Sequence, residues 1–117
     1  MSENIVQVKS FSFSLRIIKL YQFMNSVQKE TILSKQILRS GTSIGANIEE
    51  AIGGQSKKDF ISKLSISYKE ARETHYWLRL LKDSDLIENK LAYSLLINCE
   101  ELLKLLTTIL NSTKRNV

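Results

Sequence analysis

Proline is missing from this 117-residue chain, which also holds only four glycines, one cysteine, one histidine and one tryptophan. At average usage a chain this long would carry roughly six prolines and eight glycines. Proline is the residue a helix tolerates least, and glycine comes next. Their scarcity excludes collagen-like and turn-rich β architectures and points to a helical chain. A lone cysteine, Cys99, excludes an internal disulfide. It lies in the apolar helical run LLINCEELLKLL, where a buried, reduced thiol is expected. A lone histidine, His75, cannot build a zinc site or supply the two Glu-x-x-His pairs of a di-metal bundle. Apolar runs are only a few residues long, far short of the ~20 needed to span a membrane. MSENIVQVKS has neither the basic nor the apolar region of a signal peptide, so a cytoplasmic location is expected.

Against these absences, 43% of the residues are hydrophobic and 25% charged, enough for one domain over residues 1–117 with a real core. Lysine and arginine outnumber acids 17 to 12, a net charge of +5. Residues 1–48 hold six bases and two acids, residues 49–82 seven and five, and residues 83–117 four and five. The positive field therefore belongs to the first two thirds, and a polyanionic partner is plausible. The alternative is a basic but inert surface.

Four helical patterns follow one another: about 8–25, 31–52, 57–82 and 87–111, with a polar, frayed tail over 112–117. In the first, Phe13, Ile17, Leu20 and Met24 recur at helical spacing, and Phe11, Leu15 and Ile18 widen the stripe. In the second, Leu33, Ile37, Ile44, Ile48 and Ile52 mark the apolar side, with Gly41 and Gly45 on that side too. An interior glycine costs about 1 kcal/mol relative to alanine, so this pair implies a close helix neighbour. The alternative is a loop at SGTSIG. Gly53-Gly54 is expected to stop the helix in the left-handed conformation that glycine accepts.

The third helix opens on Ser56 with Asp59 three residues on, a capping-box variant. Phe60, Leu64, Ser67, Ala71, Thr74, Leu78 and Leu81 then form a heptad seam. Asp85 and Glu88 have capping-box spacing before the fourth, which carries two adjacent apolar stripes. Leu91, Leu95, Leu102, Leu105 and Ile109 form one, and Ala92, Leu96, Cys99, Leu103, Leu106 and Leu110 the other. Short connections make this an all-α, antiparallel, up-down-up-down four-helix bundle. Helices 1 and 4 carry more apolar surface than one core needs. Ile66, Trp77 and Leu80 lie about 100° off the third helix's seam. Such surplus predicts self-association, with Ile66, Trp77, Leu80 and the extra face of helix 4 in the interface. The alternative is that the surplus thickens one core.

No catalytic constellation is legible, and neither cofactor nor metal is expected. Glu49-Glu50 point about 100° apart on a helix end, and GGQSKK lacks the spacing of a phosphate-binding loop. The features that suit a polyanion are basic. Lys69, Arg72, Tyr76 and Arg79 are spaced 3-4-3 on one face of helix 3, with the tyrosine available for base stacking. The alternative is a solvated face laced with local pairs such as Lys69–Glu73. Lys57 and Lys58 flank the helix 3 start beside its unpaired backbone N–H groups. Smaller clusters are Lys35 with Arg39 on helix 2 and Arg16 with Lys19 on helix 1.

The segments LRSGTSIGANIEEA (Leu38–Ala51) and SKKDFISKLSISYKEARETHYWLRLL (Ser56–Leu81), and more loosely KSFSFSLRIIKLYQFM (Lys9–Met24), resemble the bacterial 23S rRNA intervening-sequence proteins. The resemblance implies a four-helix bundle that assembles as a ring-shaped homopentamer and carries no catalytic residues. It also implies kinship with the accessory proteins of diversity-generating retroelements, basic pentamers that bind nucleic acid and a reverse transcriptase. Gly41 to Ala51 is then structural, with Asn47 a partly buried polar group or, alternatively, a ligand. The expected function is noncatalytic, oligomeric binding of nucleic acid, with structured RNA as the partner. The alternative is an oligomeric scaffold for a protein partner, its charge serving solubility only.

Overall fold

A computed structural model describes residues 4–115, which form four helices: α1 (Ile5–Ser26), α2 (Ile32–Ile52), α3 (Lys57–Asp83) and α4 (Asn89–Arg115). Each helix packs on the next in the chain, and α4 closes back on α1. Connections of four or five residues make neighbours antiparallel, which gives the expected up-down-up-down bundle. Its core is lined by Phe13, Ile17 and Met24 of α1 and Ile37, Ile44 and Ile48 of α2, with Leu64 and Leu78 of α3 and Leu95, Leu102 and Leu106 of α4. No described helix is long and apolar enough to cross a membrane.

The helix ends show which polar groups decide where a periodic pattern starts. α1 begins at Ile5, earlier than the apolar spacing predicts. Asn4 is extended and its side-chain oxygen accepts hydrogen bonds from the backbone N–H of Val6 (3.1 Å) and Gln7 (3.2 Å). Those are two of the donors that a helix start leaves unsatisfied. α2 is capped by Glu30, whose carboxylate accepts from Leu33 N and Ser34 N (3.1 and 2.9 Å). α3 begins as predicted, with the Ser56 hydroxyl accepting from Asp59 N at 3.0 Å.

Three expectations about ends are corrected. Neither Gly53 nor Gly54 adopts a positive φ. α2 instead stops in a tight turn, with Gly53 N bonded to Glu49 O and Gly54 N to Ala51 O. Gly54 is glycine for space: a Cβ there would lie 2.8 Å from Asp59 Oδ2 and 3.0 Å from Ala51 O. Asp85 does not cap α4. It is left-handed (φ 60°) and ends α3, while Leu86 N and Ile87 N turn back to Leu81 O. Aspartate, with its short polar side chain, visits that conformation more readily than most residues. Ile87 is thereby buried, plugging one end of the bundle. Finally, α4 does not fray at 112. It stays helical to Arg115, and residues 116–117 of the expected tail lie outside the described residues.

α2 is unbroken through SGTSIG, so the loop alternative falls. A Cβ on Gly41 would lie 2.9 Å from both γ-carbons of Ile17, and one on Gly45 3.3 Å from Ser10 Oγ. The glycines are where α2 touches α1. On its other side α2 meets α3 through small polar residues: Ser67 Oγ donates to Ile44 O, and the Thr74 hydroxyl bridges Ser40 Oγ and Glu70 O, all at 2.8 Å. Every buried side-chain polar atom among the described residues finds a partner. The Asn47 amide donates to Ser43 O one turn back, as a structural group would.

Candidate nucleic-acid interface

The α3 seam fixes what the rest of the helix presents. With Leu64, Ser67, Ala71, Thr74, Leu78 and Leu81 buried, the opposite face carries Lys69, Arg72, Tyr76 and Arg79, all exposed. Lys58 falls on the same face, eleven residues and about 16 Å before Lys69. The Arg79 guanidinium carbon sits 5.8 Å from the centroid of the Tyr76 ring, in cation–π range. Trp77 meets the same ring edge-on, with centroids 5.2 Å apart and planes at 63°. An open groove of about 560 Å³ runs beside these groups, lined by Arg72, Glu73, His75, Tyr76 and Arg79 of α3 and by Leu103 of α4.

The acids near this face are committed elsewhere. Glu73 accepts from Arg39 of α2 at 2.5 Å and from the Trp77 indole N–H at 3.0 Å. Those bonds, Arg39's above all, hold the Glu73 carboxyl below its ordinary range. The other arm of Arg39 reaches Glu70 at 3.1 Å, and the two carboxylates push its own pKa up. The Lys69–Glu73 pair that the alternative reading offered is not formed, and Glu73 takes a cross-helix partner instead. None of Lys69, Arg72 or Arg79 is in an ion pair among the described residues. On the far wall of the groove, His75 Nε2 lies 3.0 Å from Glu100 Oε2 of α4.

Of the remaining basic candidates, those on α1 and α2 do not join this face. Arg39 is neutralised by its two acids, which takes it out of competition for phosphate; Lys35, one turn earlier, is exposed. Arg16 is half-buried at the α1–α4 seam, bonded to Asn98 Oδ1, while Lys19 is exposed. α1 and α3 lie on the diagonal of the bundle without close backbone approach, so the Arg16–Lys19 cluster and the α3 stripe sit on helices that are not neighbours. Lys57 and Lys58 are exposed at the α3 start, but the Ser56 hydroxyl is spent on its cap and Asp59 already places an acid in the first turn.

Of the expected interface residues, Ile66 and Leu80 are exposed, whereas Trp77 is half-buried against the core. Of the two expected helix 4 stripes only Leu91 is exposed and the rest is buried or half-buried; the more open apolar side chains of α4 are Tyr93 and Ile97, which lie in neither stripe, with Ile97 63% exposed. A further uncovered surface lies on α1, whose apolar surplus the sequence shows but whose residues were not among those expected in the interface. Val8, Phe11, Leu15 and Ile18 form a stripe opposite Phe13 and Ile17, with Phe11 65% exposed. Its 3-4-3 spacing was the available signal, since that spacing on the far side of a core stripe cannot turn inward as well.

The site offers cations, one aromatic platform and hydrogen-bond donors. No group of three or more metal-ligating side chains occurs among the described residues. Cys99 is sealed in the core with its thiol 3.4 Å from Ala71 O, and burial pushes its pKa to about 12. A thiol held protonated there is a poor nucleophile.

No curated protein matches the chain. Among solved structures, a protein of unknown function from the S23 ribosomal protein family of Bacteroides thetaiotaomicron is 51% identical, with a TM-score of 0.89 over 90% of this chain and 97% of that one. The family model for the 23S rRNA-intervening sequence protein matches residues 2–108. A match over nearly the whole bundle, with a solved relative of the same shape, places this chain in the 23S rRNA-intervening sequence protein family.

Proposed function

We propose that this protein is a noncatalytic, self-associating RNA-binding protein of the cytoplasm that holds phosphate through the outer face of α3. The observation that carries the reading is the state of Lys69, Arg72 and Arg79: exposed on one face, flanking an aromatic ring, while the neighbouring acids are occupied by Arg39 and Trp77. The family's description, which refers to a 23S rRNA intervening sequence, supports RNA as the polyanion. Uncovered apolar side chains on α1, Ile97 of α4, and Ile66 and Leu80 of α3 support assembly. We take that assembly to be a ring of five, as the family resemblance implies. A ring would repeat the α3 face once per subunit and raise avidity without new contacts.

A salt titration of RNA binding tests this. Log K falls linearly with log salt in proportion to the phosphates neutralised. Replacing Arg72 and Arg79 together by glutamate is expected to weaken binding and to flatten that slope by on the order of one to two units per site. Unchanged affinity would reduce the face to solvated charge. A second reading, a scaffold for a protein partner, is favoured by the α1 stripe alone. It predicts RNA binding too weak to titrate together with a protein partner lost on Phe11→Glu.

A further inference from the structure

Resting on the RNA-binding reading, we propose that the groove beside Tyr76 takes one unpaired nucleotide, its base stacked on the Tyr76 ring and its flanking phosphates on Arg72 and Arg79. Arg72, Tyr76 and Arg79 follow one another along a straight helix. The two arginine Cα atoms are about 10 Å apart along the axis, with the tyrosine between them. That leaves room for one nucleotide between two cationic anchors. Tyr76 is 48% exposed, so ring surface is open to a ligand. Arg79, already over the ring, can remain on it or move to a phosphate.

The groove suits a single strand and not a duplex, for two physical reasons. In a paired A-form helix the base faces are covered by their neighbours and only edges and 2′-hydroxyls are displayed. A ring lying in a side-chain groove cannot then stack on a base. The groove's cationic lining is also small: Arg72 and Arg79 are its basic groups, and its one lining carboxylate, Glu73, is bonded to Arg39 and Trp77. With only two arginines lining it, the groove suits a strand that brings one or two phosphates rather than the dense phosphate rows of a duplex. Leu103 on the α4 wall supplies apolar contact for a base edge.

Trp77 reports on the site without a label. It is the only tryptophan and touches the Tyr76 ring, so a base stacked there changes its emission. The experiment uses the full chain with a six-nucleotide oligouridine, a short RNA hairpin and inorganic polyphosphate, read by Trp77 fluorescence and by anisotropy of the labelled RNAs. Expected are saturable Trp77 quenching by oligouridine only, and at least tenfold weaker binding of the hairpin stem. With two phosphates engaged on a single strand, the salt slope is about −1.4 per site. Tyr76→Leu should weaken oligouridine binding by between about fivefold and a hundredfold, whereas Tyr76→Phe keeps it within about twofold. Because Tyr76 is exposed, both variants should melt like the parent, separating loss of stacking from loss of fold. Equal binding of hairpin and oligouridine, with Tyr76→Leu neutral, overturns the single-nucleotide site and leaves RNA binding standing. Polyphosphate quenching Trp77 as oligouridine does also overturns it, because charge alone would then suffice. No binding of either RNA overturns both readings.

Discussion

The Gly41–Ile17 contact offers the sharpest test of how α2 sits on α1. Gly41→Ala adds one methyl group in a helix interior, which by propensity alone stabilises by about 1 kcal/mol. The new Cβ would stand 2.9 Å from both γ-carbons of Ile17 and 3.3 Å from its β-carbon. Ile17 is fully buried and branched at Cβ, so it cannot swing aside. Overpacking of this kind costs about 1–3 kcal/mol, and the net expectation is a loss of up to about 2 kcal/mol. Gly45→Ala is the internal control. Its nearest neighbour is the Ser10 hydroxyl at 3.3 Å, which needs to give only slightly, so the propensity gain survives. In an Ile17→Ala background both clashing γ-carbons are gone, and Gly41→Ala should become neutral or stabilising. Ile17→Ala alone costs about 2–5 kcal/mol, so the coupling, not either single effect, is the quantity to read. Urea denaturation followed by circular dichroism, at one protein concentration because self-association adds apparent stability, gives all four corners of the cycle. The reasoning fails if Gly41→Ala stabilises as much as Gly45→Ala, or if its effect is the same with and without the Ile17 side chain.

Assembly is checked by light scattering at micromolar concentration. Phe11→Glu or Ile97→Glu should lower the particle mass, and a parent protein with monomer mass refutes self-association outright. The Arg39–Glu73 pair links α2 to α3 and gives a signed pH dependence. Because the Glu73 carboxyl is held below its ordinary range, its contribution is present at neutral pH and is lost as pH falls through the folded-state value. Glu73→Gln should therefore flatten the acid limb of a stability-against-pH curve, by no more than about 1 kcal/mol for so exposed a pair. Cys99, with its pKa raised to about 12, should react with a thiol reagent at pH 8 only as fast as the bundle opens. Its reaction rate should rise in step with denaturant; fast reaction in the native protein would contradict the burial. Purified protein should leave RNA and nucleotides intact, and turnover abolished by His75→Ala would overturn the noncatalytic reading.

Helix number, order and the α3 seam were legible in the chain because they rest on periodicity. A residue repeat near 3.6 marks a helix wherever it sits, and the α3 seam kept its 4-3 spacing from Phe60 to Leu81. Gly41 and Gly45 were legible too, as a cost that only close approach of another helix would offset. Where two apolar stripes share one helix, periodicity cannot choose between them. On α1 the Val8–Phe11–Leu15–Ile18 stripe and the Phe13–Ile17 stripe have the same spacing, and only the positions of α2 and α4 turn the second inward. The charged face behaved similarly. The run KEARE left open whether Lys69 is paired with Glu73 along its own helix or stands free. Arg39, contributed by α2 from thirty-four residues away in sequence, bonds that carboxylate instead because its forked guanidinium reaches Glu70 and Glu73 together. Local spacing specifies which side chains share a face of one helix; which of those faces stays open, and which cations keep no acid beside them, depends on the neighbouring helices that tertiary packing brings into reach.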